Sequence, residues 1–311
     1  MDSTDVHTVD ATQPSGASEG FDVRAWLLAA RPRTLVVAIG PIVVGTAVAA
    51  TEGGARALPA LATLLGAFLL QLGSNFANDV YDFEKGADTD ERIGPPRATQ
   101  LGLLTPRQMR QGMLVVFGSA ILVGVFLIAI AGWPIAAIGV ASIVVAVAYT
   151  GGPWPLGYHG LGDAMVFLFF GLIAVMGATY VQTLEVSFMA LVASIPVGAM
   201  ATATLVVNNV RDRKTDERAG KRTLAVRLGA RGGRLEYVAL VAIAYWMLPI
   251  CFFFFERSVW IFLPLLTFPR ACQLIGVVFR KADGPTLNAA LGATAQLGLV
   301  FSLLFAVGLW L

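Results

Sequence analysis

The sequence predicts an all-α protein that crosses a lipid bilayer several times. Of its 311 residues, 57% are hydrophobic and 14% are charged, against the roughly 25% charged residues that are typical of soluble domains. The mean hydropathy is +0.73, and apolar runs of about 20 residues, long enough to cross the hydrocarbon core as helices, recur along the chain. Helices are required because open strands would leave backbone groups unpaired in lipid. This composition excludes a soluble globular domain.

The chain begins with an acidic segment. Residues 1–22 contain Asp and Glu but no Lys or Arg, and they are rich in Ser, Thr and Gly. A secretory signal peptide has basic residues followed by an apolar stretch. We therefore expect a disordered N-terminal tail over 1–22, followed by a single transmembrane domain over 23–311.

Nine apolar stretches in that domain are long enough to span the membrane. The two stretches that meet at Trp133 and Pro134 could form one hairpin, which would reduce the count to eight. The predicted spans are residues 33–51, 57–80, 112–131, 133–150, 162–182, 187–209, 236–255, 258–280 and 290–310.

The basic residues predict the orientation of these spans. With the N-terminus placed in the cytoplasm, 19 of the 22 Lys and Arg residues fall on the cytoplasmic side, and only Arg56 and Arg257 fall on the other. Cytoplasmic loops of membrane proteins carry such an excess of positive charge. We therefore expect a multi-pass protein of the plasma membrane whose long polar segments, 81–111 and 210–235, are cytoplasmic.

Two polar segments, 75–97 and 208–223, begin inside the ends of apolar helices and resemble each other. The pattern Asn78-x-x-x-Asp82 matches Asn208-x-x-x-Asp212 at an offset of 130 residues. A second pattern, Asp-Glu-Arg-x-Gly, begins at Asp90 and again at Asp216, at an offset of 126 residues. The repetition indicates a duplicated acidic motif.

The spacing of the acids predicts a metal site. Positions i and i+4 share one helix face, so each motif presents several oxygen atoms in one direction. Magnesium accepts such ligands and usually completes its shell with water and substrate phosphates. The candidate metal ligands are Asn78, Asp79, Asp82, Asp88, Asn208, Asp212 and Asp216.

Cations that accompany these acids predict that the ligand carries a diphosphate. Basic side chains bind phosphate oxygens, although the excess of positive charge in cytoplasmic loops would also place them there. The candidates are Lys85, Arg92, Arg97, Lys214, Lys221 and Arg222. The alternative for both sets of residues is an ordinary solvated loop. Two matched loops with acids inside the helix ends favour the site, because acids near lipid are costly.

These motifs resemble those of the UbiA superfamily of intramembrane prenyltransferases, and most closely its MenA branch, the 1,4-dihydroxy-2-naphthoate polyprenyltransferases. The resemblance covers nearly the whole chain after the tail. The segments that carry it are Ala30-Arg-Pro-Arg-Thr34, Asn78-Asp-Val-Tyr-Asp82, Arg92-Ile-Gly-Pro-Pro-Arg97, Tyr149-Thr-Gly-Gly-Pro153, Leu156-Gly-Tyr-His-Gly160, Leu161-Gly-Asp163, Asn208-Asn-Val-Arg-Asp212, Asp216 and Gly220-Lys-Arg-Thr-Leu224.

The resemblance implies a fold of about nine transmembrane helices around a central cavity with cytoplasmic cap loops. One position departs from the superfamily pattern, in which a third acid follows the first motif. Gly86 occupies that position here, and Asp88 is the expected substitute.

The activity implied by the resemblance is transfer of a polyprenyl group from its diphosphate to 1,4-dihydroxy-2-naphthoate, with loss of CO2 and diphosphate. Magnesium, as two ions bridging the diphosphate, would be held by Asp82, Asp212, Asp216 and Asp88, and the product would be demethylmenaquinol or demethylmenaquinone. The partners implied are the two substrates and the bilayer, without nucleic acid or an obligate protein partner.

Three other residues are candidates for the chemistry of the ring and of the allylic cation. Tyr81 and Tyr149 are candidate π-rich linings for the cation, although aromatic residues near helix ends also serve as interface anchors. His159 could position the aromatic acid or accept a proton, and a structural loop histidine is the alternative.

Two other functions remain open at this level. A UbiA-type enzyme with another aromatic acceptor, such as 4-hydroxybenzoate or homogentisate, would carry the same acidic motifs. A secondary transporter would also suit intramembrane acids and helix-breaking residues such as Pro41, Pro196 and Pro264. Acids at the helix ends, followed by many cations, favour a diphosphate head group over an ion that is carried across the membrane.

Overall fold

The structure is a computed structural model, and it describes residues 22–87, 93–255 and 258–311. Its described secondary structure is entirely helical, which confirms the predicted fold class. The acidic tail up to residue 21, and the site candidates Asp88 and Arg92, lie outside the described residues.

A short helix, α1 (Val23–Ala30), precedes nine longer apolar helices in the described ranges. Eight of these are long and apolar enough to cross a membrane, and the remaining one, α5, is a shorter apolar helix. The chain is therefore a multi-pass membrane protein. The nine helices are α2 (Pro32–Thr51), α3 (Ala57–Glu84), α4 (Pro106–Ala131), α5 (Trp133–Ala148), α6 (Gly162–Thr183), α7 (Phe188–Arg218), α8 (Leu224–Phe255), α9 (Val259–Arg280) and α10 (Gly284–Trp310).

Local sequence explains where α4 begins and ends. Thr105 caps its N-terminus, with the Thr105 side chain accepting from the Gln108 backbone and the Gln108 side chain accepting in return. This is a capping box, which satisfies two of the unpaired N–H groups of a first helical turn. Gly132 ends the helix with φ 78°, and Pro134 stands in the first turn of α5. The segment around Trp133 therefore holds two helices, of which α5, with 16 residues, is shorter than the eight candidate spans.

Several helices extend beyond the predicted spans. Helix α7 continues to Arg218 and α8 begins at Leu224, so most of the predicted loop 210–235 is helical. The first turn of α8 is separated from the rest of that helix by a kink at Gly229, where φ is 74°. Helix α3 likewise continues to Glu84. Hydropathy marks only the apolar length of a helix, whereas the backbone hydrogen bonds continue into the charged turns beyond it. The acidic motifs consequently lie on the last turns of α3 and α7 rather than in loops.

Helix α7 is the most buried of the candidate spans, since 83% of the residues in its most apolar stretch are buried inside the molecule. It packs against α6, α8 and α10. At its crossing with α6, a Cβ atom built on Gly171 would lie 2.7 Å from the Cα atom of Gly198. Small residues let two helix backbones approach this closely in a membrane protein. The close contact fixes α7 in the centre, where its C-terminal turns face α3.

Candidate active site

A cavity of about 630 Å³ runs along α3. Thr63 and Asp82 both line it, and the 19 residues that separate them correspond to about 28 Å of helix, close to the thickness of a hydrocarbon core. The polar lining is concentrated near Asp82, whereas Leu127, Ile128 and Val181 belong to the apolar part of the wall. The cavity thus joins a charged end to a long apolar chamber.

The acidic motifs of α3 and α7 meet at the charged end of this cavity. Asn78 and Asp82 line it from α3, and Asn208, Asp212 and Asp216 line it from α7. Each set is spaced by four residues along its helix, which places its members on one face. The structure therefore brings together five of the seven candidate metal ligands.

Asp82 is 1% exposed and is surrounded by donors. Its Oδ2 atom accepts from Arg97 at 2.5 Å, and its Oδ1 atom accepts from Lys221 at 2.9 Å and from the Tyr158 hydroxyl at 2.8 Å. The Arg97 guanidinium also donates to the backbone carbonyl of Asn78. A buried carboxylate requires such compensation, because burial of an unpaired charge is costly.

Asp212 has a cationic partner on its own helix. Arg211 donates to both carboxylate oxygens of Asp212, at 2.7 and 2.5 Å. The same guanidinium donates to Asn208 at 2.7 Å and to Asn288 of α10 at 2.5 Å. Arg211 therefore fixes the orientation of both Asn208 and Asp212 toward the cavity.

Both acidic helices end in the same way. After α3, the backbone N–H of Gly86 donates to the carbonyl oxygen of Phe83, and that of Ala87 donates to the backbone carbonyl oxygen of Asp82. After α7, the backbone N–H of Gly220 donates to the carbonyl oxygen of Glu217, and that of Lys221 donates to the backbone carbonyl oxygen of Asp216. These paired bonds form a Schellman cap, which favours glycine at the left-handed position, and Gly86 and Gly220 have φ values of 67° and 75°.

The two caps place Asp82 and Asp216 at equivalent positions of their helices. Helix α7 therefore carries one more acidic residue on this face than α3, because Asp212 lies one turn before Asp216. The sequence alignment paired Asp82 with Asp212 instead.

Tyr149 lines the cavity directly after the end of α5. Its ring is held between two glycines: a Cβ atom on Gly162 would lie 2.6 Å from the Tyr149 hydroxyl, and one on Gly157 would lie 3.0 Å from its ring. Burial raises the pKa of Tyr149, and the nearby carboxylates Asp163, Asp216 and Asp82 raise it further. The phenol therefore stays protonated and neutral.

Six candidates lie outside the described cavity wall. Asp79 is fully buried and accepts from the Thr99 backbone N–H at 3.2 Å. The Nδ1 atom of His159 lies 2.9 Å from the Pro155 carbonyl oxygen, and its ring stacks on Trp154. The remaining four are Tyr81, Lys85, Lys214 and Arg222.

The candidate phosphate-binding cations also divide into residues that line the cavity and residues that do not. Arg97 and Lys221 line the cavity, whereas Lys214 and Arg222 are exposed. The ammonium group of Lys85 instead donates to the carbonyl oxygens of Thr150 and Gly152, at 2.6 and 3.3 Å.

Sequence reasoning missed Tyr158 and Arg211 as site residues. Arg211 lies inside the second motif, between Asn208 and Asp212, so its spacing on the helix could have identified it. Tyr158 is 76 residues from Asp82 along the chain and belongs to a neutral loop, so no local signal pointed to their contact.

The five oxygen-bearing side chains suit a hard divalent cation. Carboxylate and amide oxygens are the ligands that magnesium accepts, and it needs only one or two carboxylates when phosphate oxygens are present. No group of three or more His, Cys, Asp or Glu side chains is arranged to hold a metal within the described ranges. The five side chains can supply ligands to such an ion alongside the oxygens of a phosphate.

Comparison with protein families gives a match to the UbiA prenyltransferase family over residues 38–294. Two bacterial relatives are both named 1,4-dihydroxy-2-naphthoate octaprenyltransferase. The chain is 38% identical to the protein from Mycobacterium tuberculosis, over 90% of this chain and 95% of that protein. It is 37% identical to the protein from Escherichia coli, over 93% of this chain and 96% of that protein.

The fold also matches a solved structure. A UbiA homolog from Archaeoglobus fulgidus bound to DMAPP and Mg²⁺ superposes with a TM-score of 0.62 at 16% identity, over 91% of this chain and 99% of that chain. This likeness confirms the all-helical membrane fold.

Proposed function

The chain belongs to the UbiA prenyltransferase family, and on that premise we propose that it transfers a polyprenyl group from polyprenyl diphosphate to 1,4-dihydroxy-2-naphthoate. The products are diphosphate, CO2 and demethylmenaquinol, which oxidises to demethylmenaquinone. The observation that carries this function is the 36–38% identity, over at least 90% of the chain, to three bacterial proteins with that acceptor in their names.

The cavity suits both parts of a polyprenyl diphosphate. Its charged end holds Arg97 and Lys221 beside the acids, and its apolar chamber provides a wall for the isoprenoid tail. Ile121, Val125 and Val140 line that chamber and are each more than half exposed, so this part of the wall is open. An apolar tail can therefore occupy the chamber while the head group remains at the charged end.

Asp82, Asp212 and Asp216, with Asn78 and Asn208, would hold magnesium, and Asp88 is the further proposed ligand. We assign two ions, because the acids are divided between two helix ends. When bound, magnesium neutralises the diphosphate and stabilises it as a leaving group. Arg97 and Lys221 bind the remaining phosphate oxygens through charge-assisted hydrogen bonds.

The reaction breaks the bond between the allylic carbon and the diphosphate oxygen, whose electron pair leaves with the diphosphate. The ring of the dihydroxynaphthoate supplies the electron pair of the new C–C bond. The carboxylate departs as CO2, and the electron pair of its C–C bond restores the aromatic ring without net proton uptake. Tyr149 offers the π-face of a neutral phenol to the allylic cation, and the apolar walls exclude the water that would quench it.

The charged end of the cavity is proposed to face the cytoplasm, and the membrane is proposed to be the plasma membrane. The uneven distribution of Lys and Arg supports this orientation, because the segments 81–111 and 210–235, at and after the C-terminal ends of α3 and α7, hold 14 of the 22 Lys and Arg residues.

A prenyl transfer assay on the purified protein in detergent tests the function. The protein is supplied with farnesyl or longer diphosphate, magnesium, and either 1,4-dihydroxy-2-naphthoate or 4-hydroxybenzoate, with EDTA as the control. We expect a metal-dependent naphthoquinone product and release of CO2. Transfer to the benzoate alone would change the acceptor but keep the reaction class. The absence of transfer to either acceptor would contradict the proposal and favour a transporter.

A further inference from the structure

Tyr158 lies in the loop between α5 and α6, and its side chain lines the charged end of the cavity. The loop makes a short 3-10 turn over Leu156–His159 and then turns at Gly160, where φ is 76°. Neither the proposed reaction nor the sequence motifs assign a role to this tyrosine.

The side chain of Tyr158 contacts three charged groups at once. Its hydroxyl donates to Asp82 Oδ1 at 2.8 Å. The ammonium groups of Lys85 and Lys221 lie over its ring, at 5.0 and 4.8 Å from the ring centre. Asp82 and Lys85 belong to the first acidic segment, 75–97, whereas Lys221 belongs to the second, 208–223. The Tyr158 side chain therefore contacts both acidic segments.

The backbone of the same loop connects both acidic segments. The Tyr158 carbonyl oxygen accepts from the Arg222 N–H at 2.8 Å, two residues after the cap of α7. On the other side, Lys85, at the cap of α3, donates to the carbonyl oxygens of Thr150 and Gly152. The loop therefore holds the ends of α3 and α7 in a fixed relation.

The physical effect of the tyrosine follows from its ring and its hydroxyl. Two ammonium groups near one ring repel each other, and the negative face of an aromatic ring offsets that repulsion. Burial and the charge of Lys221 lower the pKa of Lys85, against the opposing charge of Asp82. The hydroxyl, together with Lys221, fixes the orientation of the Asp82 carboxylate, which accepts from both at one oxygen.

We propose that Tyr158 is a positioning residue for the diphosphate. Its ring lies against the ammonium groups of Lys85 and Lys221, and its hydroxyl orients Asp82, so that a metal-binding carboxylate and the phosphate-binding cation Lys221 are presented together. This inference rests on the proposed function, because it requires that the charged end binds a prenyl diphosphate.

The test uses Tyr158→Phe, which removes the hydroxyl and keeps the ring, and Tyr158→Leu, which removes both. Since a hydrogen bond to a charged group is lost, we expect Tyr158→Phe to raise the KM for prenyl diphosphate and the half-saturating magnesium concentration by about tenfold. Tyr158→Leu is expected to raise both further. The KM for dihydroxynaphthoate should not change in either variant.

Binding of inorganic diphosphate in the presence of magnesium, measured by calorimetry on the full-length protein in detergent, gives a readout that is independent of turnover. We expect its affinity to fall by the same factor as the KM for prenyl diphosphate rises. Tyr180→Phe is the matched control, because Tyr180 lies at the opposite end of α6 and its substitution should leave diphosphate binding unchanged.

The inference is overturned if Tyr158→Phe keeps wild-type affinity for magnesium diphosphate, or if it raises the KM of both substrates alike, as a general loss of folding would. Failure of the proposed function is a separate outcome. In that case the wild-type protein transfers no prenyl group, while Tyr158→Phe still weakens binding of magnesium diphosphate. If Tyr158→Leu does not fold, the comparison of Tyr158→Phe with Tyr180→Phe decides the result.

Discussion

Two acids at the charged end of the cavity, Asp82 and Asp212, form ion pairs with cations of the protein. Asp82 is paired with Arg97 and Lys221, and Asp212 is paired with Arg211. In the protein without ligands, these ion pairs compensate the buried negative charges. Arg97 and Lys221 line the cavity and are also the proposed ligands of the phosphate oxygens, so these two cations both stabilise Asp82 and prepare the site for the substrate.

Substitution of Asp82 or Asp212 by Asn tests this assignment, as would the harsher change to Ala. Loss of a metal-binding carboxylate is expected to lower kcat/KM by a factor on the order of 10² to 10³, comparable to removal of a group that stabilises a transition state. Turnover is measured in the prenyl transfer assay over a series of magnesium concentrations, and folding is checked by gel filtration in detergent.

Glu84→Gln is the matched control, because Glu84 follows Asp82 on the same helix but pairs with Arg110 outside the described cavity wall. Its activity should be close to that of the wild type. Near-normal turnover in both Asp82→Asn and Asp212→Asn would contradict the metal assignment.

Asp79 and Asp88, the other two acidic candidate ligands of the first acidic segment, should respond differently to substitution. Asp79 is turned by about 100° around α3 from Asn78 and accepts from Thr99, so we expect Asp79→Asn to leave the magnesium requirement unchanged. Asp88 remains a predicted ligand, and Asp88→Ala is expected to cause a severe loss of activity. Equal magnesium dependence in these two variants would show that one of the two assignments is wrong.

At the scale of the helix, the cap of α3 accounts for the missing third acid. Gly86 has a left-handed backbone with φ 67°, and its N–H and that of Ala87 close the Schellman cap. An aspartate there would adopt this backbone only at a cost. The position that carries the third acid elsewhere in the superfamily is therefore used here to end the helix.

Gly86→Asp restores the acidic spacing of the superfamily and separates the two roles of this position. We expect the variant to lose about 1 kcal/mol of stability and to gain no activity. Thermal unfolding in detergent measures the first effect, and the prenyl transfer assay measures the second. Gly86→Ala is the control for the backbone alone, since it carries the same strain without a carboxylate. Higher activity in Gly86→Asp than in Gly86→Ala would indicate that the new carboxylate reaches the metal.

At the scale of the whole molecule, the depth of the apolar chamber should limit the length of the prenyl chain. Gly124 of α4 lines the chamber, and a Cβ atom built there has no other atom within 4 Å. Gly124→Leu therefore fills the chamber without displacing a neighbour. We expect the variant to keep transfer from farnesyl diphosphate and to lose transfer from longer diphosphates.

The ratio of kcat/KM for long and short diphosphates measures this effect. Gly118→Leu is the matched control, because Gly118 is on the same helix, also has open space around it, and does not line the chamber. An unchanged ratio in Gly124→Leu, or the same change in both variants, would show that the tail does not pass this residue.

The orientation of the molecule can be tested with single cysteines in a background in which Cys251 and Cys272 are replaced by Ala. Glu185 lies between α6 and α7, and Arg107 lies at the start of α4, so they mark opposite sides. We expect a membrane-impermeant maleimide to label Glu185→Cys on intact cells, and Arg107→Cys only after the membrane is opened. The reverse pattern would invert the proposed topology.

The sequence by itself determined the helical class, the apolar spans and the helix faces that carry Asn78 with Asp82 and Asn208 with Asp212. These features depend on hydropathy and on the helical repeat, which act over a few residues. Only the tertiary structure decided that Arg97 and Tyr158 contact Asp82, that Asp79 is turned away from the cavity, and that α7 continues to Asp216 before its cap. Such contacts join residues that are distant along the chain, so they depend on how the helices pack, which no local pattern specifies.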